Sequence, residues 1–136
     1  MAVVAELIRS EADGSISFGN HSLAEKAKLE DFSHAGDVYK VKTYKTLTKL
    51  EKNGMFLYES EPGTSVNSFN ETDKGVSFTV DGDNDAQITV GLAENEEYEV
   101  TVAGKSIGKL TSNLSGKINL SLELADKGEV KVVISK

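Results

Sequence analysis

Apolar and polar residues alternate through most of the second half of the chain, most cleanly between Glu97 and Leu124. Tyr98, Val100 and Val102 fall on one face of the pattern, and Glu97, Glu99 and Thr101 on the other. After a turn at Ala103-Gly104-Lys105-Ser106 and a return through Ile107 to Leu110, the run Ile118, Leu120, Leu122, Leu124 again sets apolar residues against Lys117, Asn119, Ser121 and Glu123. Period two is the signature of a strand with one face buried. The same reading predicts strands over 65–71, 75–80, 86–92, 98–103, 106–111, 118–124 and 130–135. Turn-rich segments such as Thr72-Asp73-Lys74-Gly75, Asp81-Gly82-Asp83-Asn84-Asp85 and Ala125-Asp126-Lys127-Gly128 separate them. Short strands at this spacing predict a sandwich or barrel.

The first half is less regular. Residues 3–11 and Ile16 to Phe18 read as a hairpin closed at Ala12-Asp13-Gly14-Ser15. Ser22-Leu23-Ala24-Glu25 matches a helix capping box, so residues 22–30 stay open between a short helix and a strand, with extended chain favoured from Lys28 onward. Val38 to Tyr44 alternates again: Tyr39, Val41 and Thr43 share one face, and Val38, Lys40, Lys42 and Tyr44 the other. Leu47 and Leu50 suit a helical turn as well as a bent strand. Met55-Phe56-Leu57-Tyr58 is apolar on both faces, as in a strand covered on both sides. Glu61-Pro62-Gly63 holds the single proline, predicts a type II turn, and is the best candidate for a boundary.

Beyond that boundary, Ser68-Phe69, Gly75-Val76-Ser77-Phe78-Thr79-Val80, Ile88-Thr89-Val90, Tyr98 to Gly104 and Gly116 to Leu122 together resemble the immunoglobulin-like β-sandwich modules appended to many bacterial carbohydrate-processing enzymes. The resemblance covers residues 64–136. It implies an all-β fold: an immunoglobulin-like sandwich of about seven strands over 62–136, with 1–61 as a β-rich N-terminal segment or small subdomain. The whole chain also resembles a group of short bacterial proteins that carry the label endosialidase.

That label can be weighed against chemistry. The usual sialidase site holds the substrate carboxylate with three arginines, whose planar forks pair bidentately. This chain has one arginine, Arg9, and no tryptophan. It cannot build that site alone, and no catalytic residue is carried over from the label.

Charge narrows the partners. The net charge of −7 disfavours nucleic acid. It is unevenly spread: residues 26–52 hold seven Lys against four acids, a local balance of +3 that leaves −10 for the rest. This asymmetry could steer a partner or a second copy, although a solvated lysine-rich face is the ordinary explanation. No stretch approaches the length of a membrane span. The N-terminus lacks a basic leader region, and with no cysteine the expected location is cytoplasmic.

Candidate chemistry is sparse. Asp81, Asp83 and Asp85 open like a calcium loop, but Ala86 and Leu92 stand where an EF-hand needs Gly and Glu. A looser cation site on those three carboxylates is the leading metal reading, against the plainer one of a polar turn. His21 and His34 could share a metal with a carboxylate such as Asp31 or Asp37, but they have no ligand spacing and read as surface residues. Glu59 with Glu61, and Glu97 with Glu99, are pairs on solvated faces rather than a buried acid–base set. Tyr44 and Tyr58, beside Lys40 and Lys42, are the candidates for stacking on a sugar, against the reading of core rings with hydroxyls at the rim.

The expectation is therefore a non-catalytic interaction or assembly module that forms a homo-oligomer and has a protein or carbohydrate ligand. The two-faced apolar runs Val3-Val4, Met55 to Tyr58 and Val132 to Ile134 place the self-contact on a sheet face or edge that includes the N-terminal hairpin. The alternatives are a small carbohydrate-binding module and a subunit of a glycan-active enzyme whose site is shared across subunits. The inward face read for residues 118–124 can be checked by chemical denaturation: Leu120→Ala is expected to cost ~2–5 kcal/mol as a core cavity. A loss below about 1 kcal/mol would reverse the facing.

Overall fold

The alternation becomes strand from Ile8 to Ser135, with no helix among the described residues. The computed structural model describes residues 3–136; Met1 and Ala2, on which part of the leader reading rests, lie outside the described residues. The first half supplies β1 (Ile8–Ser10), β2 (Ile16–Phe18), β3 (Ala27–His34), β4 (Asp37–Tyr44), β5 (Leu47–Lys52) and β6 (Met55–Glu61). The second supplies β7 (Ser65–Thr72), β8 (Gly75–Asp81), β9 (Ala86–Gly91), β10 (Glu97–Val102), β11 (Lys105–Thr111), β12 (Lys117–Leu122) and β13 (Val130–Ser135). The seven strands expected beyond Pro62 are present, with ends within two residues of the expected ones.

The strands form two antiparallel sheets. One has seven strands in the order β1-β2-β7-β8-β13-β10-β11, the other six in the order β12-β9-β6-β5-β4-β3. Neither closes into a barrel. Each sheet takes strands from both sides of Pro62, since β2 pairs with β7 and β6 with β9. The segment at Pro62 is a crossing from the six-stranded to the seven-stranded sheet. Its Glu61–Pro62 bond is cis and Gly63 does not take positive φ, so the expected type II turn is absent.

Local chemistry explains most of the elements. Ala35-Gly36, Asn53-Gly54 and Ala103-Gly104 all take positive φ at both residues, the geometry of the two-residue hairpin turn. Residues 22–26 form a loop, and β3 starts at Ala27 because Ala27 and Leu29 register against Thr43 and Val41 on the buried side of β4. Tertiary pairing overrides the helix-forming composition of this stretch. β5 is likewise a strand, with Leu50 buried and Leu47 half-buried on the outer side. No helix of the described residues is long and apolar enough to cross a membrane.

The two-faced apolar runs are accounted for within one chain. β13 lies between β8 and β10, with Val132 and Ile134 in the core and Val133 half-buried on the outer face. In β6 the register against β5 shifts between Leu50 and Glu51, a β-bulge that turns both Leu57 and Tyr58 inward. Met55, by contrast, is 72% exposed.

Tyr58 joins the two sheets. Its ring, from the six-stranded sheet, meets the edges of Phe18, Phe78 and Phe69 from the seven-stranded sheet at centroid distances of 5.2, 5.8 and 6.3 Å. Edge-to-face pairs of this kind contribute roughly 0.5–1.5 kcal/mol each beyond area burial. Its hydroxyl lies 2.7 Å from Thr64 Oγ1, which also meets Ser60 Oγ at 2.8 Å. Thr48 Oγ1 donates to the Thr64 carbonyl at 2.7 Å and accepts from the Thr64 N–H at 3.1 Å, which leaves Thr43 Oγ1, 2.8 Å away, as donor to Thr48. Thr43 in turn accepts the Asn20 N–H. Thr43, Thr48, Ser60 and Thr64 are all fully buried, and mutual hydrogen bonding is what makes their burial tolerable.

Tyr58→Phe keeps the ring and removes one member of this network. The expected loss is about 1–3 kcal/mol, against ~3–5 kcal/mol for Tyr58→Ala, both read by urea denaturation. A loss below about 0.5 kcal/mol for Tyr58→Phe would show that the hydroxyl network contributes little.

Candidate functional site

Because the Tyr39, Val41, Thr43 face of β4 is buried, Lys40, Lys42 and Tyr44 all lie on the outer face of the six-stranded sheet. Three of the four residues singled out for ligand binding are thus brought together. Tyr58 is not among them: it is 0% exposed, and burial pushes its hydroxyl well above its ordinary pKa against the opposing bonds to Thr64 and Ser60. The expectation that its ring could stack on a ligand is corrected by its place in the register: Tyr58 is opposite the buried Leu50 and shares the inner face with Ser60, while Glu59 and Glu61 take the outer one.

The register assembles more than these three. Lys28 lies opposite Lys42, Lys42 opposite Lys49, and Lys49 opposite Glu59. Glu59 is opposite Thr89, and Thr89 opposite Asn119. One row of side chains therefore crosses all six strands, three lysines at one end and neutral polar residues at the other. Like charges directly opposite are mildly destabilising in a sheet, so the contacts of lysine on lysine work against the fold. Glu30 relieves part of it through Lys28 and Lys40 at 3.1 and 3.6 Å, and Glu51 lies 3.8 Å from Lys49. Lys42, at the centre, makes no ion pair among the described residues.

The neighbouring rows add apolar and amide groups. Tyr44 is half-buried opposite Leu47, with the Lys26 ammonium 5.9 Å from its ring centre. On the other side of the ladder, Phe56 lies against Gly91, where a side chain would collide with it, and Lys117 places its ammonium 4.4 Å from the ring centre. Towards the β12 edge, Asn119 accepts from Thr89 at 2.7 Å and Gln87 from Ser121 at 2.9 Å. Both bonds use the amide oxygen, so the amide NH2 groups remain as donors.

The carboxylates Asp81, Asp83 and Asp85 take separate roles. Asp81 is buried at the end of β8. Asp85 Oδ1 accepts from the N–H groups of Leu124 and Ala125 and ties the β8–β9 loop to the chain after β12. Asp83 is exposed, with Oδ1 3.6 Å from His21 Nε2. Among the described residues no three His, Cys, Asp or Glu side chains come together as a metal group.

Of the two histidines, His21 departs from the surface reading and His34 stays at the surface. His21 is buried with Nδ1 2.7 Å from Ser65 Oγ, and its Nε2 has no hydrogen-bond partner. His34 bridges the sheets: Nε2 donates to the Gly14 carbonyl at 2.9 Å, which leaves Nδ1 to accept from Ser10 Oγ at 2.7 Å. Among the clefts of the described residues, one of about 730 Å³ is lined by Arg9, Asp81, Asp83, Asp126 and Glu129, one of about 420 Å³ lies beside Phe56, Glu71 and Tyr98, and one of about 350 Å³ is lined by Glu61, Asp85 and Glu123. Of the expected acid pairs, Glu99 accepts from Ser106 on the seven-stranded sheet, and Glu59 sits in the lysine row.

Sequence reasoning missed Lys28, Lys49 and Glu59 as members of one row. The +3 balance of residues 26–52 was the one signal that pointed there.

Glu30 reports on the ladder. Its hydrogen bond from Lys28, followed by the charges of Lys28 and Lys40, holds its carboxyl below the ordinary 4.5. A depressed folded-state value means the pairing stabilises the fold above the unfolded pKa and is lost as pH falls through the folded one. An NMR titration should place the Glu30 midpoint below 4.5 and move it upward in Lys28→Met. An unmoved midpoint would show that Lys28 does not hold it.

Comparison of the chain with protein-family models, with curated proteins and with solved structures finds no match in any of the three, so the geometry of this face is what a functional reading has to rest on.

Proposed function

We propose that this chain is a non-catalytic interaction and assembly module that works through the outer face of its six-stranded sheet. The observation that carries the reading is the row Lys28, Lys42, Lys49, Glu59, which sets three lysines side by side on one face although like charges directly opposite in a sheet repel. A face that carries Tyr44, Leu47 and Phe56 among these charges has the mix of flat apolar and charged groups that a protein contact uses. Of the apolar runs, Leu57, Tyr58, Val132 and Ile134 are taken up by the core while Met55 stays exposed and Phe56 lies on the outer face, so the charge distribution is the stronger argument for association. We read the strands beyond Pro62 as an immunoglobulin-like sandwich whose second sheet is completed by β3 to β6. The chain crosses repeatedly between two antiparallel sheets, which supports that reading.

A second reading, a small carbohydrate-binding module, is favoured by one feature of the same face. Tyr44 and Phe56 offer ring surfaces, and Gln87 and Asn119 offer amide donors, the groups a neutral sugar would meet. Sedimentation velocity separates the two. The assembly reading expects species above the monomer mass at tens of micromolar, and a monomer throughout that range contradicts it. Binding on a glycan array that is lost in Tyr44→Ala would favour the second reading instead.

A further inference from the structure

The outer face of the six-stranded sheet is divided by charge, and the division falls between β5 and β6. On β3, β4 and β5 it carries Lys28, Lys40, Lys42 and Lys49 against Glu30 and Glu51. On β6, β9 and β12 it carries Glu59 and Glu61 against Lys117, together with the apolar Phe56 and neutral polar groups such as Gln87, Thr89 and Asn119. A face with one basic and one acidic half fits a partner with the halves reversed. A second copy of the same face supplies that reversal.

We infer that two copies of this chain pack face to face through their six-stranded sheets, about a two-fold axis that runs parallel to the strands along the β5–β6 boundary. This rests on the assembly reading and specifies its interface. The axis direction follows from charge. A two-fold axis in the interface and perpendicular to the strands would lay lysine half on lysine half; one parallel to them lays each basic half on the acidic half of the other copy. The contact is then isologous, as closed dimers require.

The register can be followed strand by strand. Strands at equal distances from the axis meet, so β5 faces the partner's β6, β4 faces the partner's β9, and β3 faces the partner's β12. Along the lysine row Lys49 meets a Glu59, Lys42 a Thr89 and Lys28 an Asn119 of the second copy. In the next row Glu30 lies over the strand position of Lys117 and Lys40 over that of Gly91, which the Phe56 ring of that copy covers. Tyr44 meets Gln87 in the third. Along the lysine row no like charges are directly opposed. Sheets with the ordinary twist pack aligned in this way at a separation of about 10 Å.

The size is adequate. Six strands spaced about 4.8 Å, six to eight residues long at ~3.3 Å each, give a face of roughly 25 by 22 Å. With side-chain relief, that approaches the ~800 Å² per partner of a standard specific interface. The alternative, an unrelated polyanion on the lysine ladder, leaves the acidic half unused and has to approach a remainder at −10. A second copy uses both halves.

Mixing two single variants tests this. Lys49→Glu makes an acidic pair at positions 49 and 59, and Glu59→Lys makes a basic pair. Each variant alone meets like charge across the two-fold and should associate at least about tenfold more weakly than wild type in sedimentation equilibrium. An equimolar mixture restores Lys–Glu contacts at both symmetry-related positions and should return to within about threefold of wild type. Positions 49 and 59 also neighbour each other within one chain, but mixing leaves that pair unchanged, so recovery can come only across copies. Thermal unfolding of each variant confirms that it is folded. Single variants that associate like wild type, or a mixture that recovers nothing, would overturn this interface while assembly itself stands. Wild type that stays monomeric at tens of micromolar would overturn both.

Discussion

The placement of one aromatic ring governs the rest of this molecule. Tyr58 stands on a central strand of the six-stranded sheet, inserts its ring among three phenylalanines of the other sheet, and carries a hydroxyl that water cannot reach. A buried hydroxyl costs several kcal/mol unless it is bonded, at roughly 2–7 kcal/mol by transfer scales. Thr64, Ser60, Thr48 and Thr43 meet that demand in a chain of bonds that runs through β4, β5, β6 and the crossing after Pro62. The apolar contact holds the sheets together, and the polar chain fixes the register of the strands beneath it. A slip of one residue would strand these hydroxyls and turn the other face of each strand to solvent. The outer face, with Lys42, Lys49 and Glu59 at their stations, is therefore a consequence of the core beneath it.

Much of the second half was legible because its two signals agree. Period-two alternation marks Ile118 to Leu122 and Val130 to Ile134, and turn residues such as Asp73-Lys74-Gly75 interrupt it at intervals a strand can fill. The first half resists for identifiable reasons. Residues 22–30 have the composition of a helix, and only pairing with β4 makes them extended. Tyr58 was a candidate for stacking on a ligand because its run is apolar on both faces, and the bulge at Leu57, which puts two adjacent residues into the core, is not visible in that run. His21, read as a surface residue, is buried against Ser65, forty-four positions away, a contact no local pattern announces.

The lysine row was invisible for a similar reason. Lys28, Lys42 and Lys49 are scattered in sequence and become neighbours only when three strands are set side by side. Composition noticed the excess of positive charge in residues 26–52 without knowing that it gathers on one face. Whether a charge run is a solvated surface or a contact depends on what opposes it. Here the opposing half of the same sheet carries Glu59 in the lysine row and Glu61 in the row beside it. Core, register and surface are in this sense one arrangement read at three depths.

The most direct measurement is the reactivity of individual lysines towards a small acylating reagent, followed by mass spectrometry over a range of protein concentrations. Lys42 and Lys49 lie on the outer face of the six-stranded sheet, whereas Lys105, Lys109 and Lys131 belong to the seven-stranded sheet. If two copies meet through the six-stranded sheet, acylation of Lys42 and Lys49 slows as concentration rises and that of Lys105, Lys109 and Lys131 does not change. Protection confined to the seven-stranded sheet, or rates that ignore concentration at every lysine, would contradict the account.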